Sequence, residues 1–178
     1  MEGESRSPAQ DASPTQDASV PRDGNPGRPI PDFRVARVTE AMDHSNADRL
    51  LVLKIDLGTE ERQIVAGIRG HYKPEDLVGR CIVVVANLQH AKLRGEWSQA
   101  MLLAAENEEG RLGLLLAPDA EPGIPIRIPG GPPPDAEITF AGFHENVLVA
   151  TSDGVTLNGA ALEGVRLVMD RDVYGRLK

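Results

Sequence analysis

Lys92, Arg94, Gly95 and Ser98 fall within seven residues of one another, inside the stretch NLQHAKLRGEWSQAMLLAA that runs from Asn87 to Ala105. Lysine and arginine supply positive charge and hydrogen-bond donors that suit phosphate. Glycine lets a backbone approach a ligand closely. A serine hydroxyl adds a short, rotatable donor. Together these residue types can hold a phosphodiester chain, provided that something rigid presents them to solvent with cations and hydroxyl facing outward. The flanks offer that support. A valine-rich run, Ile82–Ala86, leads in and reads as a buried strand, and an apolar run, Met101–Ala105, leads out as the next strand. Between the two the sequence reads as a loop.

The elements around this loop are short and mostly extended. FRVARVTEAM, from Phe33, reads as a bent first strand, because its apolar alternation slips after Val35. HSNADR (His44–Arg49) is turn-rich. LLVLKIDLG sets Leu51, Leu53, Ile55 and Leu57 on one face, and RQIVAGI follows across Gly58-Thr59, so the two are expected to form a hairpin. In KPEDLVG, Pro74 suits a first helical turn, Glu75 and Asp76 its positive end, and Gly79 the stop. RLGLLLAP adds a strand. Five or six short strands and one small helix in about 95 residues point to a small β-barrel. The Pro/Gly-rich PGIPIRIPGGPPPD reads as a linker or a tightly turned edge. Beyond it, AEITF, NVLVATS, GVTLN and GVRLVMD are four further strand candidates, with turns at Asp153-Gly154 and Asn158-Gly159. DRDVYGRLK is polar and is expected to fray.

Composition narrows the function. The net charge of the 178 residues is −8, which argues against a strong attraction for nucleic acid. Residues 33–128, however, carry 12 Lys/Arg against 14 Asp/Glu, so a local basic surface is compatible with the acidic total. Residues 1–31 are rich in Ser, Pro, Asp, Gln and Gly and are expected to be disordered. Cys81, the only cysteine, excludes an internal disulfide and reads as a buried small hydrophobe. No apolar run approaches a membrane span and no secretory signal is visible, so a cytoplasmic location is the default expectation. No metal-ligand spacing, phosphate loop or nucleophile elbow is present. Neither enzyme activity nor a metal or cofactor is expected.

The order DFRVARV, NADRL, IVAGI, PEDLVG, VVANL, KLRGEWSQAMLLAA resembles the tRNA-binding domain found at the carboxyl end of some methionyl- and tyrosyl-tRNA synthetases. The same domain occurs in the endothelial monocyte-activating polypeptide II group and in free-standing tRNA-binding proteins. The resemblance covers roughly residues 32–128. It implies an all-β OB-fold, a five-stranded barrel with one short helix, that binds tRNA without catalysis. EITFAGF and VLVATSDGVTL are similar to the appendage of the polypeptide II group, implying that residues 129–178 form an all-β extension packed on the barrel. In that group the appendage covers the face through which shorter relatives dimerise. A monomer is therefore expected if the extension covers that face, and a homodimer otherwise. No synthetase nucleotide-binding signature is visible, so assistance to a methionyl- or tyrosyl-type synthetase would be in trans.

Carried over residue by residue, the resemblance implies a tRNA-binding site at Asn87, Lys92, Gly95, Ser98 and Met101, to which Arg94 is added as the nearby cation. Asn87, at a strand end, suits a loop-holding role better than direct contact. Trp97 could stack on a base, but a lone tryptophan more often packs, and it is expected to pack against the barrel. His44, Ser45 and Asn46 are secondary candidates, because the loop after strand one neighbours the OB binding face. Lys73, with His71 and Tyr72, borders that surface. Gln89, His90 and Ala100 depart from the family pattern, which commonly has a basic residue, a proline and a glycine there. Two other readings remain. One is a peptide-binding, export-type chaperone of the same fold family. The other is a protein–protein adaptor that recruits its partner through residues 1–31.

Overall fold

The computed structural model describes residues 27–178. Most of the amino-terminal segment expected to be disordered, and the adaptor role attached to it, therefore lies outside the described residues. Its last residues are packed before Phe33 is reached. The Ile30 N–H donates to the Asp135 carboxylate at 2.8 Å, and Asn146 Nδ2 donates to the Pro29 carbonyl at 2.9 Å.

The protein is all-β, built on an OB-like barrel. Strand β1 (Phe33–Asp43) is followed by β2 (Leu51–Asp56), β3 (Glu61–Ala66), the one-turn helix α1 (Pro74–Leu77) and β4 (Cys81–Val85). The bend expected in β1 is a register shift between Val38 and Glu40. Phe33–Arg37 pair with β4, and Arg37–Asp43, a run that spans the shift, pair with β2. One strand thus serves both sides of the barrel. The β2–β3 hairpin is in unbroken register from Leu51↔Ala66 to Asp56↔Glu61, as its alternation predicts.

The stretch read as a loop contains a second hairpin, β5 (Ala91–Leu93) and β6 (Glu96–Ser98). The apolar run after it is divided into β7 (Met101–Leu102), which pairs with β4, and β8 (Ala104–Glu106), which pairs with β9 (Leu112–Leu116). The Pro/Gly-rich segment contributes a two-residue strand, β10 (Pro125–Ile126), to the edge of β1.

The extension departs from its sequence reading at both ends. ITF does not form a strand. The Thr139 hydroxyl accepts from the Gly142 N–H at 2.9 Å and caps a short helix, α2 (Phe140–Phe143). Next come β11 (Leu148–Thr151), β12 (Gly154–Leu157), β13 (Ala160–Ala161), β14 (Val168–Met169) and β15 (Gly175–Arg176). The polar end does not fray. There β15 pairs with β11, Leu177 is 2% exposed, and Lys178 and Ala104 exchange backbone hydrogen bonds at 3.0 and 3.1 Å. The extension also enters the barrel sheet, because β14 pairs with β9. The resulting order is β14-β9-β4-β1-β2-β3, with antiparallel pairings throughout.

Strand alternation divides the apolar side chains into two cores. Leu53, Ile55, Ile64, Ile82, Val84 and Leu114 fill the barrel. Phe33, Val35, Val83, Val85 and Leu115, from the opposite faces of the same strands, pack against Leu148, Met169 and Leu177 of the extension. This explains why CIVVV is apolar without alternation: β4 is buried on both faces. Each fully buried side chain of this size contributes about 1.5–3 kcal/mol. The second core therefore ties the extension firmly to the barrel.

Candidate nucleic-acid interface

The β5–β6 hairpin rises from the loop between β4 and β7. Its two-residue turn, Arg94-Gly95, has φ of 53° and 95°, as a type I′ turn requires. Gly95 meets this demand without cost, and a Cβ there would meet nothing within 4 Å. Lys92, Arg94 and Gly95 are exposed, and among the described residues neither cation forms an ion pair. The outward presentation expected from the sequence holds for these three residues.

Ser98 points the other way. It is 7% exposed, accepts from the Val65 N–H at 3.0 Å and donates to the Ala100 carbonyl at 3.0 Å. The sequence reading turned this hydroxyl outward. In the structure the backbone of β3 and of the following turn occupies it. Asn87 has the structural role favoured from sequence. Its side chain accepts from the Asp32 N–H and donates to the Ile30 and Asp135 carbonyls, at 2.8, 3.0 and 2.8 Å. Met101 is half-buried and packs against the second core. Trp97, expected to pack on the barrel, is 53% exposed.

Four side chains position the hairpin, and only His44 was among the sequence candidates. His44 is 3% exposed. Its Nδ1 accepts from the Asn46 N–H at 2.9 Å, which leaves Nε2 to donate to the Leu93 carbonyl at 3.1 Å, beside the turn. The loop after β1 therefore touches the hairpin, as the OB arrangement implies, but through a buried buttress. Ser45, Asn46 and Lys73 are exposed. Arg62 donates to the Ala86 and Gln99 carbonyls at 2.6 and 3.1 Å, clamping both ends of the hairpin-bearing segment. The same guanidinium, by hydrogen bond and charge, holds the Glu60 carboxyl below its ordinary pKa. Gln63 donates to Glu96 and to the Trp97 carbonyl at 3.1 and 3.0 Å. Gln99 completes the set by pairing with the Gln63 backbone: its N–H donates at 2.8 Å and its Oε1 accepts at 3.0 Å. Polar residues inside a strand carry no sequence signal for such a role.

Behind the hairpin lies an apolar cleft of about 600 Å³, walled by Ile68, Leu93, Ala100, Met101 and Leu102, with Phe140 of α2 at its far side. Ala100, where the family pattern has glycine, is 3% exposed and belongs to the barrel core. Gln89 and His90 are exposed at the foot of the hairpin. Among the described residues no group of His, Cys, Asp or Glu is placed to hold a metal ion, and no helix is long and apolar enough to cross a membrane.

An OB-like barrel is an architecture whose binding face takes oligonucleotides or oligosaccharides, and here the β4–β7 loop displays exposed cations beside the β1–β2 loop. The sequence profile of the family described as "Putative tRNA binding domain" matches residues 33–125, and the chain belongs to this family. The methionine–tRNA ligase of Thermococcus kodakarensis is 54% identical over 97 residues, which are 54% of this chain and 13% of that ligase. The chain thus spans a small part of that relative's length. Among solved structures, the MetRS related protein from Pyrococcus horikoshii is 37% identical with a TM-score of 0.50, covering 53% of this chain and 87% of that one. The C-terminal domain of Plasmodium vivax p43 is 27% identical with a TM-score of 0.72, covering 84% of this chain and 97% of that one. A match of that extent reaches well beyond residues 33–125, so the extension has a structural counterpart there.

Proposed function

We propose that the protein is a non-catalytic tRNA-binding module of the cytoplasm. It holds the phosphate backbone of tRNA on the β5–β6 hairpin and assists an aminoacyl-tRNA synthetase of methionyl or tyrosyl type in trans. One observation carries this reading: Lys92 and Arg94 are exposed, and without an ion pair among the described residues, on a hairpin that is anchored at its tip and at both ends. Lys73, exposed ahead of α1, and the exposed Ser45 and Asn46 extend the contact surface. Ser98, Asn87 and Met101 act by shaping the hairpin and its base. The extension covers an apolar barrel face that would otherwise need a partner, which supports a monomer.

Phosphate contacts position a nucleic acid without reading its sequence and make binding salt-dependent. A gel-shift titration with bulk tRNA at two salt concentrations tests the reading. Lys92→Ala with Arg94→Ala should weaken binding and reduce the salt slope by about 2. Equal affinity and slope in wild type and double variant would remove the hairpin from the mechanism. The apolar cleft favours a second reading, in which an apolar peptide segment of a client protein is held behind the hairpin. Protection of an unfolded client by a protein that ignores tRNA would favour it.

A further inference from the structure

Strand alternation gives the hairpin two unlike faces. Ala91, Leu93 and Ser98 turn toward the cleft. Lys92 and Trp97 are cross-strand partners and turn away from it. The indole is 53% exposed, although tryptophan is among the side chains with most to gain from burial. Among the described residues its ring contact is with Lys92 Nζ, 5.8 Å from the ring centroid, at the outer limit of cation–π attraction. The backbone beneath it is fixed. Gln63 donates to its carbonyl, and the next residue, Ser98, is pinned to Val65. A rigid strand therefore holds a flat aromatic surface in water beside Lys92, with the exposed Arg94 at the turn of the same hairpin. Their charge selects against cationic and neutral apolar partners. It favours a planar ring that carries an anion, which describes a nucleotide.

We propose that Trp97 is a stacking platform for an unpaired nucleobase, with Lys92 meeting the phosphate of the same nucleotide or its neighbour. The inference rests on the tRNA-binding reading and adds selectivity to it. A hairpin that touched phosphate alone would treat duplex and loop alike. A stacking platform prefers RNA whose bases are splayed out of the helix.

Trp97 is the only tryptophan of the chain, so emission excited at the red edge, where Tyr72 and Tyr174 do not absorb, reports on this site alone. The full chain is titrated with tRNA, a short single-stranded RNA, a blunt RNA duplex of equal length and inorganic polyphosphate. The expected result is quenching by tRNA and by the single strand, weaker quenching by the duplex, and none from polyphosphate at saturation. Trp97→Ala should weaken single-strand binding about 5- to 150-fold, leaving polyphosphate binding and the circular dichroism spectrum unchanged. Trp97→Phe should retain most of the affinity. Unchanged tRNA affinity in Trp97→Ala, with unchanged emission on binding by wild type, would overturn the platform and leave the phosphate-binding reading intact. Quenching by an apolar peptide but by none of the RNAs would overturn it in favour of a protein partner. Failure of wild type to shift tRNA at all would remove the parent reading and the platform together.

Discussion

Arg94 occupies a left-handed backbone conformation that L-residues other than Asn, Asp and Gly enter at a cost of about 1–2 kcal/mol. An arginine there trades stability for a charge placed at the outermost point of the hairpin. Asparagine suits the first position of this turn far better. Arg94→Asn is accordingly expected to raise the midpoint of thermal unfolding and to lower tRNA affinity, measured by calorimetry and by gel shift on the same preparations. A variant that gained stability and kept full affinity would show that the guanidinium makes no contact. At this scale the sequence was partly legible. The exposure of Lys92, Arg94 and Gly95 was legible, because charged and turn-forming residues between apolar strands go to solvent. Asn87, at a strand end, was legible as a residue that holds backbone; Ser98 was not, since a hydroxyl serves a backbone as readily as a ligand, and only the fold decides. Trp97 misled for a related reason: its size argues for burial, while its place in the alternation, one residue before the inward Ser98, argues against it.

The hairpin itself was not legible as an element. Its strands are three residues each, mostly polar, and a two-stranded ribbon of that length is not stable alone in water. Its order comes from outside, from the side chains of His44, Arg62, Gln63 and Gln99, the first of which lies 49 residues from its partner in the hairpin. Removing His44 should therefore free the turn without unfolding the barrel. His44→Ala is expected to cost about 1 kcal/mol of stability. It should also speed tryptic cleavage after Arg94 well beyond the change in global unfolding, as read by mass spectrometry of early fragments. Cleavage that tracked global stability alone would assign His44 no special hold on the turn. The same dependence on context explains α2. ITF has strand-forming residue types, but the Thr139 hydroxyl finds the Gly142 amide and a helical turn wins.

Across the whole molecule, the barrel was readable from its long alternating strands and the packing of an extension on it was expected, whereas the contacts that join the two were not legible. A small polar cluster secures that union. Tyr72 lies 2.6 and 2.8 Å from the two carboxylate oxygens of Asp170. Arg80 pairs with the same carboxylate at 2.9 Å, and the Arg171 guanidinium stands 3.9 Å from the Tyr72 ring centroid. Burial, then the Asp170 hydrogen bond and charge, push the Tyr72 hydroxyl well above its ordinary pKa of 10.0. The folded state thus holds this proton where the unfolded chain releases it, so the contribution is intact below pH 10 and is lost as pH rises beyond it. Tyr72→Phe is expected to cost about 1.5–3 kcal/mol near neutrality and to flatten the fall in melting temperature above pH 10. Parallel alkaline slopes in the two proteins would exclude Tyr72 as the titrating group. DRDVYGRLK looked like a fraying tail because its buried residues, Val173 and Leu177, are spaced too far apart to show a period. Strand β3 ends the sheet order, and its outward amides at Gln63 and Val65 are satisfied by the side chains of Gln99 and Ser98 instead of by another strand. The segment that displays the cations also seals the open margin of the barrel, denying neighbouring molecules a template for strand-by-strand growth into aggregates.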